Sequence, residues 1–345
     1  MNVRALFLIP LFWALATMAA AQGFAGLGQT SDGFDLPDPE TRFVFPQDHG
    51  AHNGYRIEWW YVTANLEAAD GTPYGIQWTL FRSALAPGGA EADQAWMAHA
   101  AVSTPGGHLY AERFARGASG QAGVTAAPFD AFIDEWQMVG PDLNDLRLTA
   151  QGTDFHYDLK LDADGPFILQ GDAGYSVKSE AGQASHYYSQ PFYQVTGTIT
   201  LEDGPVEVTG RAWLDREWSS QPLEETQTGW DWFSLHFDSG EKMMGFQVRD
   251  EDGSVYTVGT WIDADQSSQA LTPDQLRITA TAWSDVAGRR IPTTWELELP
   301  DRDLSITTTA IYPDSWMGTL VSYWEGPVTV TGTHPGIGYL EMSGY

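Results

Sequence analysis

Acidic and aromatic side chains alternate along residues 211–218 of this 345-residue chain. If the segment is a β-strand, its period of two places Trp213, Asp215 and Glu217 on one face. A carboxyl group among apolar rings has a raised pKa, because burial penalises its charged form. Such a group stays protonated near neutral pH and can act as a general acid. The same spacing also fits a structural salt-bridge cluster of the two acids with Arg216.

A second candidate for chemistry is the S-H-Y-Y-S segment at residues 185–189. Alternation places His186 and Tyr188 on one strand face. An imidazole and a phenol side by side can relay a proton or orient a polar group. The alternative is a strand whose rings pack into a wall.

The E-W-W-Y segment at residues 58–61 and the W-D-W-F segment at residues 230–233 are the richest in tryptophan. Glu58 and Trp60 share one face, and the pattern leaves open whether Glu58 meets a ligand or pairs with an arginine such as Arg82 or Arg216. Trp232 lies on a strand with aromatic rings on both faces. That strand is expected to be covered on both sides, as at a domain interface or a ligand cavity.

His236 shares the face of Trp232, and we interpret it as a satisfied interface or core histidine rather than a catalyst. We expect Trp60, Glu58, Trp232 and Glu217 to line a substrate site, and Asp215, His186, Tyr188 and Trp213 to act in it.

Several common catalytic motifs are absent from the sequence. It contains no G-x-S-x-G, no H-E-x-x-H, no P-loop and no G-x-G-x-x-G after a strand, which disfavours α/β serine hydrolases, zincins and nucleotide enzymes. His49 and His52 form an H-x-x-H pair without a recognisable third ligand, so we assign them a structural role. We therefore expect neither a metal nor an organic cofactor.

The charge of the chain restricts its partners. It has 46 acidic residues against 17 lysines and arginines, for a net charge of −29. Phosphate backbones and anionic membrane surfaces repel such a protein, so nucleic-acid binding is excluded as a function. The 15 tryptophans, 14 tyrosines and 16 phenylalanines are an unusually dense set of aromatic residues.

Residues 1–21 have the features of a secretory signal. Arg4 gives a short positive region, an apolar run follows, and an A-x-A site at residues 19–21 precedes Gln22. We expect cleavage after Ala21 and a secreted or periplasmic protein, with an uncleaved membrane anchor as the alternative. The chain has no cysteine, so its stability depends on its core and not on disulfides.

Short alternating runs separated by turns predict an all-β protein. The phrase G-P-V-E-V-T-G at residues 204–210 returns as G-P-V-T-V-T-G at 326–332, and each precedes an aromatic-Leu-acid triplet, at 213–215 and 339–341. Tryptophan-rich hairpins ending at Arg82 and Arg249 also repeat. This order predicts an internal duplication of two packed antiparallel β-barrels. The expected units are a leader at 22–45, an N-terminal barrel at 46–220 and a C-terminal barrel at 229–345.

The chain resembles the AttH-type proteins, which are exported lipocalin-like proteins grouped with carotenoid 1,2-hydratase. The resemblance spans about residues 45–345 and rests on E-W-W-Y (58–61), S-H-Y-Y-S (185–189), G-R-A-W-L-D-R-E-W-S-S (210–220), G-W-D-W-F (229–233), Y-W-E-G (323–326) and G-Y-L-E (338–341). It implies two lipocalin-like β-barrel domains packed together.

The hydratase end of this group has a His-x-Trp pattern that falls on His186 and Tyr188, and a Tyr-x-Asp pattern that falls on Trp213 and Asp215. The histidine and the aspartate match, and the aromatic positions differ in type. The resemblance implies that Asp215 donates a proton to an alkene, that the rings stabilise the cation and that His186 holds the water. Three functions remain open: a hydratase or hydrolase acting on a small apolar molecule, such as an isoprenoid or an acyl chain, a carrier without turnover, and an envelope scaffold that binds another protein.

Overall fold

A computed structural model describes residues 31–221, 224 and 226–345. The predicted signal segment at residues 1–21 lies outside the described residues. Within the described part, no helix has the length and apolar character needed to cross a membrane. Its helical elements are three short 3-10 turns, at Gln47–His49, Glu91–Asp93 and Pro300–Arg302.

The first half of the chain forms one antiparallel sheet. Its strands are β1 (Ile57–Ala68), β2 (Pro73–Ala84), β3 (Gln94–Thr104), β4 (Gly107–Arg116), β5 (Ala122–Ala126), β6 (Phe129–Ile133), β7 (Trp136–Asp142), β8 (Asp145–Gln151), β9 (His156–Ala163), β10 (Ile168–Leu169), β11 (Tyr175–Val177), β12 (Ala184–Leu201) and β13 (Gly204–Ser219). They run in the order β4-β3-β2-β1-β13-β12-β9-β8-β7-β6-β5, and β10 and β11 pair with β12.

The second half forms a smaller antiparallel sheet. Its strands are β14 (Gln227–Phe237), β15 (Lys242–Asp250), β16 (Val255–Ile262), β17 (Ser268–Leu271), β18 (Arg277–Val286), β19 (Arg289–Leu299), β20 (Leu304–Ala310), β21 (Trp316–Met317), β22 (Tyr323–Gly332) and β23 (Gly336–Met342). They run in the order β17-β16-β15-β14-β23-β22-β20-β19-β18, with β21 beside β22. The prediction of an all-β protein with two lipocalin-like barrels is confirmed.

Each sheet curls around its own apolar core, as a nearly closed or half barrel. The pairings of the described strands do not join β4 to β5 or β17 to β18, so hydrogen bonds do not close either sheet into a full ring. A left-handed turn at Asp134, which has a φ of 50°, separates β6 from β7.

The repeated phrase does not occupy equivalent places in the two sheets, although the acid-bearing triplets do. The first copy opens β13, whereas the second closes β22 before the turn into β23. The triplets at 213–215 and 339–341 lie on β13 and β23, which pair with β1 and β14 respectively. The two sheets are therefore related by a duplication, but aligning the two copies of the repeated phrase matches residues that are not structurally equivalent.

The two sheets pack against each other through β1, β12 and β13 on one side and β14, β15 and β23 on the other. Along β1, Trp60 and Val62 enter the first core, whereas Tyr61 joins a third apolar cluster between the sheets. Hydrogen bonds cross this interface from Asn65 Nδ2 to the Gly338 carbonyl oxygen at 2.7 Å and from Tyr61 Oη to Glu325 Oε2 at 2.9 Å. Most of β1 and the second half of β13, residues 212–219, are thus buried on both faces.

The close approach of the sheets at Gly75 makes a testable prediction. A Cβ atom at Gly75 would lie 2.6 Å from Cδ of Pro327 on β22, and a pyrrolidine ring cannot swing away. We expect Gly75→Ala to lower the free energy of unfolding by about 1–3 kcal/mol, as overpacking does. Urea denaturation followed by tryptophan fluorescence measures this change.

Gly106→Ala is the matched control, because its added Cβ would find Thr104 Oγ1 at 3.5 Å, an ordinary contact distance. Equal stability of the Gly75 and Gly106 variants would contradict the tight packing between β2 and β22.

Candidate functional site

An apolar cavity of about 140 Å³ lies between the two sheets rather than inside a barrel. We call it the interface cavity. It is lined mainly by aromatic and acidic side chains: Ile57, Trp59, Tyr61, Thr79, Phe81, Met97, His99, Lys178, Gln183, Ala184, Ser185, Tyr187, Asp215, Glu217, Ser219, Gln221, Trp230, Trp232, Phe246, Val321, Tyr323, Glu341 and Ser343.

Asp215 is a buried acid of the cavity wall whose charged form is disfavoured. Its side chain is buried, and burial raises its pKa to about 7, against opposing hydrogen bonds led by that from Ser189. Ser189 Oγ and Trp213 Nε1, the latter at 2.9 Å, both donate to Oδ1. No ion-pair partner of Asp215 occurs among the described residues. The carboxyl is therefore held in place and is largely protonated below neutral pH.

Glu217 lies two residues further along the same face. It accepts a hydrogen bond from Ser185 Oγ, and Lys178 Nζ lies 2.9 Å from its Oε1. The Lys178 ammonium also sits 4.5 Å from the centre of the Tyr187 ring. Glu217 therefore lines the same cavity as Asp215 but, unlike Asp215, has an ammonium group as its ion-pair partner.

Glu341 on β23 is the third carboxyl of the lining. Burial raises its pKa, and Trp230 Nε1 donates to it at 2.8 Å. Behind it, the buried Glu325 accepts the hydrogen bond from Tyr61, and burial followed by the Glu341 charge raises the pKa of Glu325 far above its ordinary value. The second sheet thus contributes acids that also favour their neutral forms.

The lining repeats itself across the two sheets. Matching β1, β2, β12 and β13 with β14, β15, β22 and β23 through their pairing registers relates residues of the first sheet to residues of the second. The related pairs that line the cavity are Trp59 with Trp230, Tyr61 with Trp232, Thr79 with Phe246, Tyr187 with Tyr323, Asp215 with Glu341 and Glu217 with Ser343. The interface cavity therefore lies where the two copies of one architecture face each other.

His186 and Tyr188 are not in the interface cavity. On β12 they lie opposite Trp218 and Arg216, so they face the interior of the first barrel, on the far side of the sheet from Asp215. The cause is a one-residue bulge between Gln190 and Tyr193. Without the bulge, the register of Tyr193 with Ala212 would continue and place Gln190 opposite Asp215. His186 would then lie on the same face of the sheet as Asp215. A one-residue shift in register moves all the side chains on one side of the bulge, including His186, to the opposite face of the sheet.

Glu58 and Trp60 also face the interior of the first barrel. Glu58 is fully buried and accepts from Arg82 Nε at 2.9 Å and Arg216 Nη2 at 2.6 Å. Burial alone would raise the pKa of Glu58, but Arg216, His52 and Arg82 outweigh it and hold that pKa far below the ordinary range. The arginine pairing considered for Glu58 is what the structure shows, and the guanidinium of Arg216 lies 4.0 Å from the centre of the Trp60 ring.

Residues before β1 cover this end of the first barrel. The Phe43 ring lies 5.8 Å from both His186 and Tyr188, and His49 Nδ1 is 2.6 Å from Tyr188 Oη. His52 stacks on Trp218 at 3.9 Å. Phe43, from the segment expected to be a leader, therefore packs on the sheet, and His49 and His52 just after it are engaged in hydrogen bonding and stacking.

The structure thus brings Asp215, Glu217, Trp213 and Trp232 together at the interface cavity, with Trp213 holding Asp215 from beside the lining. Five further lining residues were not predicted from the sequence: Tyr61, Tyr187, Lys178, Trp59 and Trp230. Their cross-strand register with Asp215 and Glu341 could have identified them, but that register is not readable from the sequence.

As expected, β14 is covered on both faces, by the second core and by the apolar cluster between the sheets. His236 is buried there, also as expected, and its Nε2 donates to the Pro191 carbonyl oxygen at 3.0 Å, with the ring 5.7 Å from that of Trp213. The histidine is satisfied only in part, because Nδ1 has no hydrogen-bond partner among the described residues.

Comparison with known proteins gives a family and a fold. The model of the AttH-like family matches residues 36–345. The crystal structure of an AttH-like protein from Nitrosomonas europaea superposes with a TM-score of 0.82 at 36% identity, covering 90% of this chain and 99% of that one. Kievitone hydratase from Nectria haematococca has the same fold, with a TM-score of 0.65 at 16% identity over 90% of this chain and 98% of its own. The curated proteins include no significant match.

The buried charge cluster of the first barrel yields a stability prediction. Glu58→Gln would leave two buried guanidinium groups without their shared carboxylate. We expect the free energy of unfolding to fall by about 3–5 kcal/mol, as when one partner of a buried ion pair is removed. Urea denaturation measures it.

Glu298→Gln is the control, because Glu298 pairs with Arg277 on the exposed surface at 3.0 Å and should contribute less than about 1 kcal/mol. Similar small losses in both variants would show that the cluster does not stabilise the barrel.

The protonation of Asp215 predicts a pH-dependent stability difference. The folded-state pKa of about 7 lies above the ordinary aspartate pKa of 3.8, so the folded protein binds a proton that the unfolded chain releases between these values. The contribution of the wild-type side chain therefore declines as pH rises towards 7. Relative to wild type, Asp215→Asn should gain up to about 1.4 kcal/mol per pH unit between pH 5 and 7, and should then level off.

Urea denaturation of both proteins from pH 5 to 9 measures the difference. Asp285→Asn, on the exposed surface of β18, should show no such trend. A constant difference between Asp215→Asn and wild type would mean that Asp215 ionises normally.

Proposed function

The chain belongs to the AttH-like family, and from that premise we propose that it binds a small apolar molecule in the interface cavity and adds water to it, with Asp215 as the proton donor. The observation that carries the proposal is a buried carboxyl, without a cation partner among the described residues, at the wall of an apolar cavity. Its pKa of about 7 gives it both a proton to donate and a tendency to give it up near neutral pH.

The other lining groups fit the remaining steps of an alkene hydration. The Asp215 proton forms a C–H bond at one alkene carbon and leaves a cation on the other. The rings of Trp232 and Tyr187 face that cation, and each stabilises it by about 0.5–2 kcal/mol. A water oxygen then bonds to the cationic carbon. Its surplus proton goes to the Glu217 carboxylate and returns to Asp215 through water. The sum is addition of one H₂O, and no step requires a redox or metal cofactor.

The dimensions of the cavity bear on the ligand. A volume of about 140 Å³ is close to the roughly 150 Å³ of an engineered apolar cavity that binds benzene. That space holds one ring or a short branched alkene, such as the end of an isoprenoid chain, and the rest of a longer molecule would extend out of the cavity. The name of kievitone hydratase, which shares the fold, supports a hydration reaction.

A carrier without turnover is the second candidate, because the same aromatic lining would hold a ligand without reacting. Binding and chemistry are separable by experiment. The apolar cavity predicts that polyenes and unsaturated fatty acids quench the fluorescence of Trp59, Trp230 and Trp232, and native mass spectrometry of protein isolated from the periplasm would report a resident ligand.

The test of the proposed reaction replaces Asp215 by Asn. Wild type is incubated in ¹⁸O-labelled water with isoprenoid alkenes and unsaturated fatty acids, and mass spectrometry detects products heavier by one labelled water. We expect Asp215→Asn to lower the rate by about 10²–10⁴-fold, the usual contribution of a general acid, while ligand quenching persists. Above pH 7 the wild-type rate should fall, because Asp215 loses its proton.

Asp285→Asn, the exposed control, should hydrate at the wild-type rate. Quenching without product in wild type would favour the carrier. Product formation by Asp215→Asn at the wild-type rate would overturn the role of Asp215.

A further inference from the structure

A second cavity, of about 190 Å³, opens at another part of the junction between the sheets. We call it the basic pocket. It shares no lining residue with the interface cavity, and the proposed hydration does not use it. It forms where β12 bulges at Pro191 and Phe192, beside β13, β14, β15 and the turn after β16.

Cationic side chains gather at the basic pocket in a chain that is otherwise strongly acidic. Arg211 from β13 and Lys242 from β15 both line it. Arg211 is exposed and has no ion-pair partner in the described part of the chain. Lys242 Nζ donates to the Gly240 carbonyl oxygen at 3.1 Å and lies 4.5 Å from the centre of the Phe192 ring, so its position is set by pocket residues. Two positive charges at one pocket indicate an anionic ligand.

His236 also lines this pocket, and one of its ring nitrogens is unsatisfied. The side chain is 2% exposed, and its Nε2 is occupied by the Pro191 carbonyl oxygen, yet Nδ1 has no hydrogen-bond partner. Buried polar atoms are nearly always paired, so a missing partner points to a ligand or water. Burial, followed by the nearby Lys242 and Arg211 charges, lowers the pKa of His236 to about 3. With Nε2 donating, a neutral ring offers only the Nδ1 lone pair, which accepts a proton donor.

The pocket therefore requires a ligand that is negatively charged and also carries an acidic O–H. A hydrogen phosphate group has both properties, whereas sulfate has no proton to donate. The exposed carboxylate of Asp164 at the pocket wall favours the same choice, because it repels fully ionised anions and can accept an O–H.

We propose that the basic pocket binds a soluble phosphate group that retains a proton, either free phosphate or a phosphate monoester, through Arg211, Lys242 and Nδ1 of His236. The oxygens accept hydrogen bonds from the arginine and the lysine, and the P–O–H group donates to Nδ1. A lipid headgroup is a poorer source of this phosphate, since the net charge of −29 repels an anionic membrane.

Such a ligand would join the two sheets. Arg211 belongs to the first sheet, and Lys242 and His236 belong to the second. A ligand that binds the folded protein alone stabilises it by mass action. Phosphate should therefore raise the melting temperature of the wild-type protein.

Isothermal titration calorimetry with inorganic phosphate, glycerol 3-phosphate and sulfate tests the proposal on the mature chain, beside thermal unfolding with and without phosphate. We expect wild type to bind at least one of the two phosphate compounds and to bind sulfate at least about tenfold more weakly. Arg211→Gln and Lys242→Gln should each weaken the phosphate affinity about tenfold, the effect of losing one charge-assisted hydrogen bond, and should lose the thermal shift.

Arg116→Gln, an exposed arginine at the end of β4, is the matched control and should bind phosphate as wild type does. Free phosphate and glycerol 3-phosphate distinguish the two soluble sources. Failure of wild type to bind either compound, equal affinity for sulfate, or binding only to vesicles of phosphatidic acid would each overturn the proposal. None of these outcomes depends on whether Asp215 transfers a proton.

Discussion

Arg216 and Asp215 are neighbours on β13, and both are buried, but only Arg216 has an oppositely charged partner among the described residues. The rest of the molecule depends on that difference. Arg216 faces the first barrel and shares the carboxylate of Glu58 with Arg82. Asp215 faces the other sheet, where hydrogen bonds hold it but no cation among the described residues neutralises it. Strand geometry separates the two sides, because successive side chains point to opposite faces. A guanidinium that could have fixed Asp215 as an anion is thereby kept away from it.

This separation gives the two sides of the sheet different tasks. The first barrel interior is filled by Trp60, Trp78 and Trp136, together with the ion cluster and the covering N-terminal segment. It is a packed core and not the ligand space expected of a lipocalin-like barrel. The space lies instead between the sheets, where large rings from two curved surfaces leave a gap. Stability and chemistry are thus built on opposite faces of the same strands.

The sequence predicted correctly those features that depend on a single strand. Alternation along β13 correctly grouped Trp213, Asp215 and Glu217, and the turn signals located most hairpins and the all-β class. It failed where two strands had to be aligned. The bulge after Gln190 inverted the face of His186, and neither composition nor spacing reveals a single extra residue in an otherwise regular strand.

The duplicated phrase failed for a related reason. Threonine- and valine-rich segments suit many strands, so identical letters can arise at the end of β22 and at the start of β13. Equivalence between the halves follows from hydrogen-bond pairing, which is a property of the folded chain. The arginines that end the two tryptophan hairpins were correctly matched, because Arg82 and Arg249 lie opposite Glu58 and Gly229 in equivalent registers.

Equivalent strands of the two sheets face each other across the interface cavity. This arrangement affects which amino-acid substitutions the site can accumulate. In a symmetric homodimer, every substitution at the axis appears twice, so both walls must carry the same acid. Here both copies are encoded in one chain, and each wall can vary alone. Asp215 of the first sheet is equivalent to Glu341 of the second, and Glu217 is equivalent to Ser343. The two walls of the cavity therefore already differ in side-chain length and polarity. A single polypeptide has thereby escaped the constraint that symmetry places on a shared site, and a ligand can be held in one orientation rather than two.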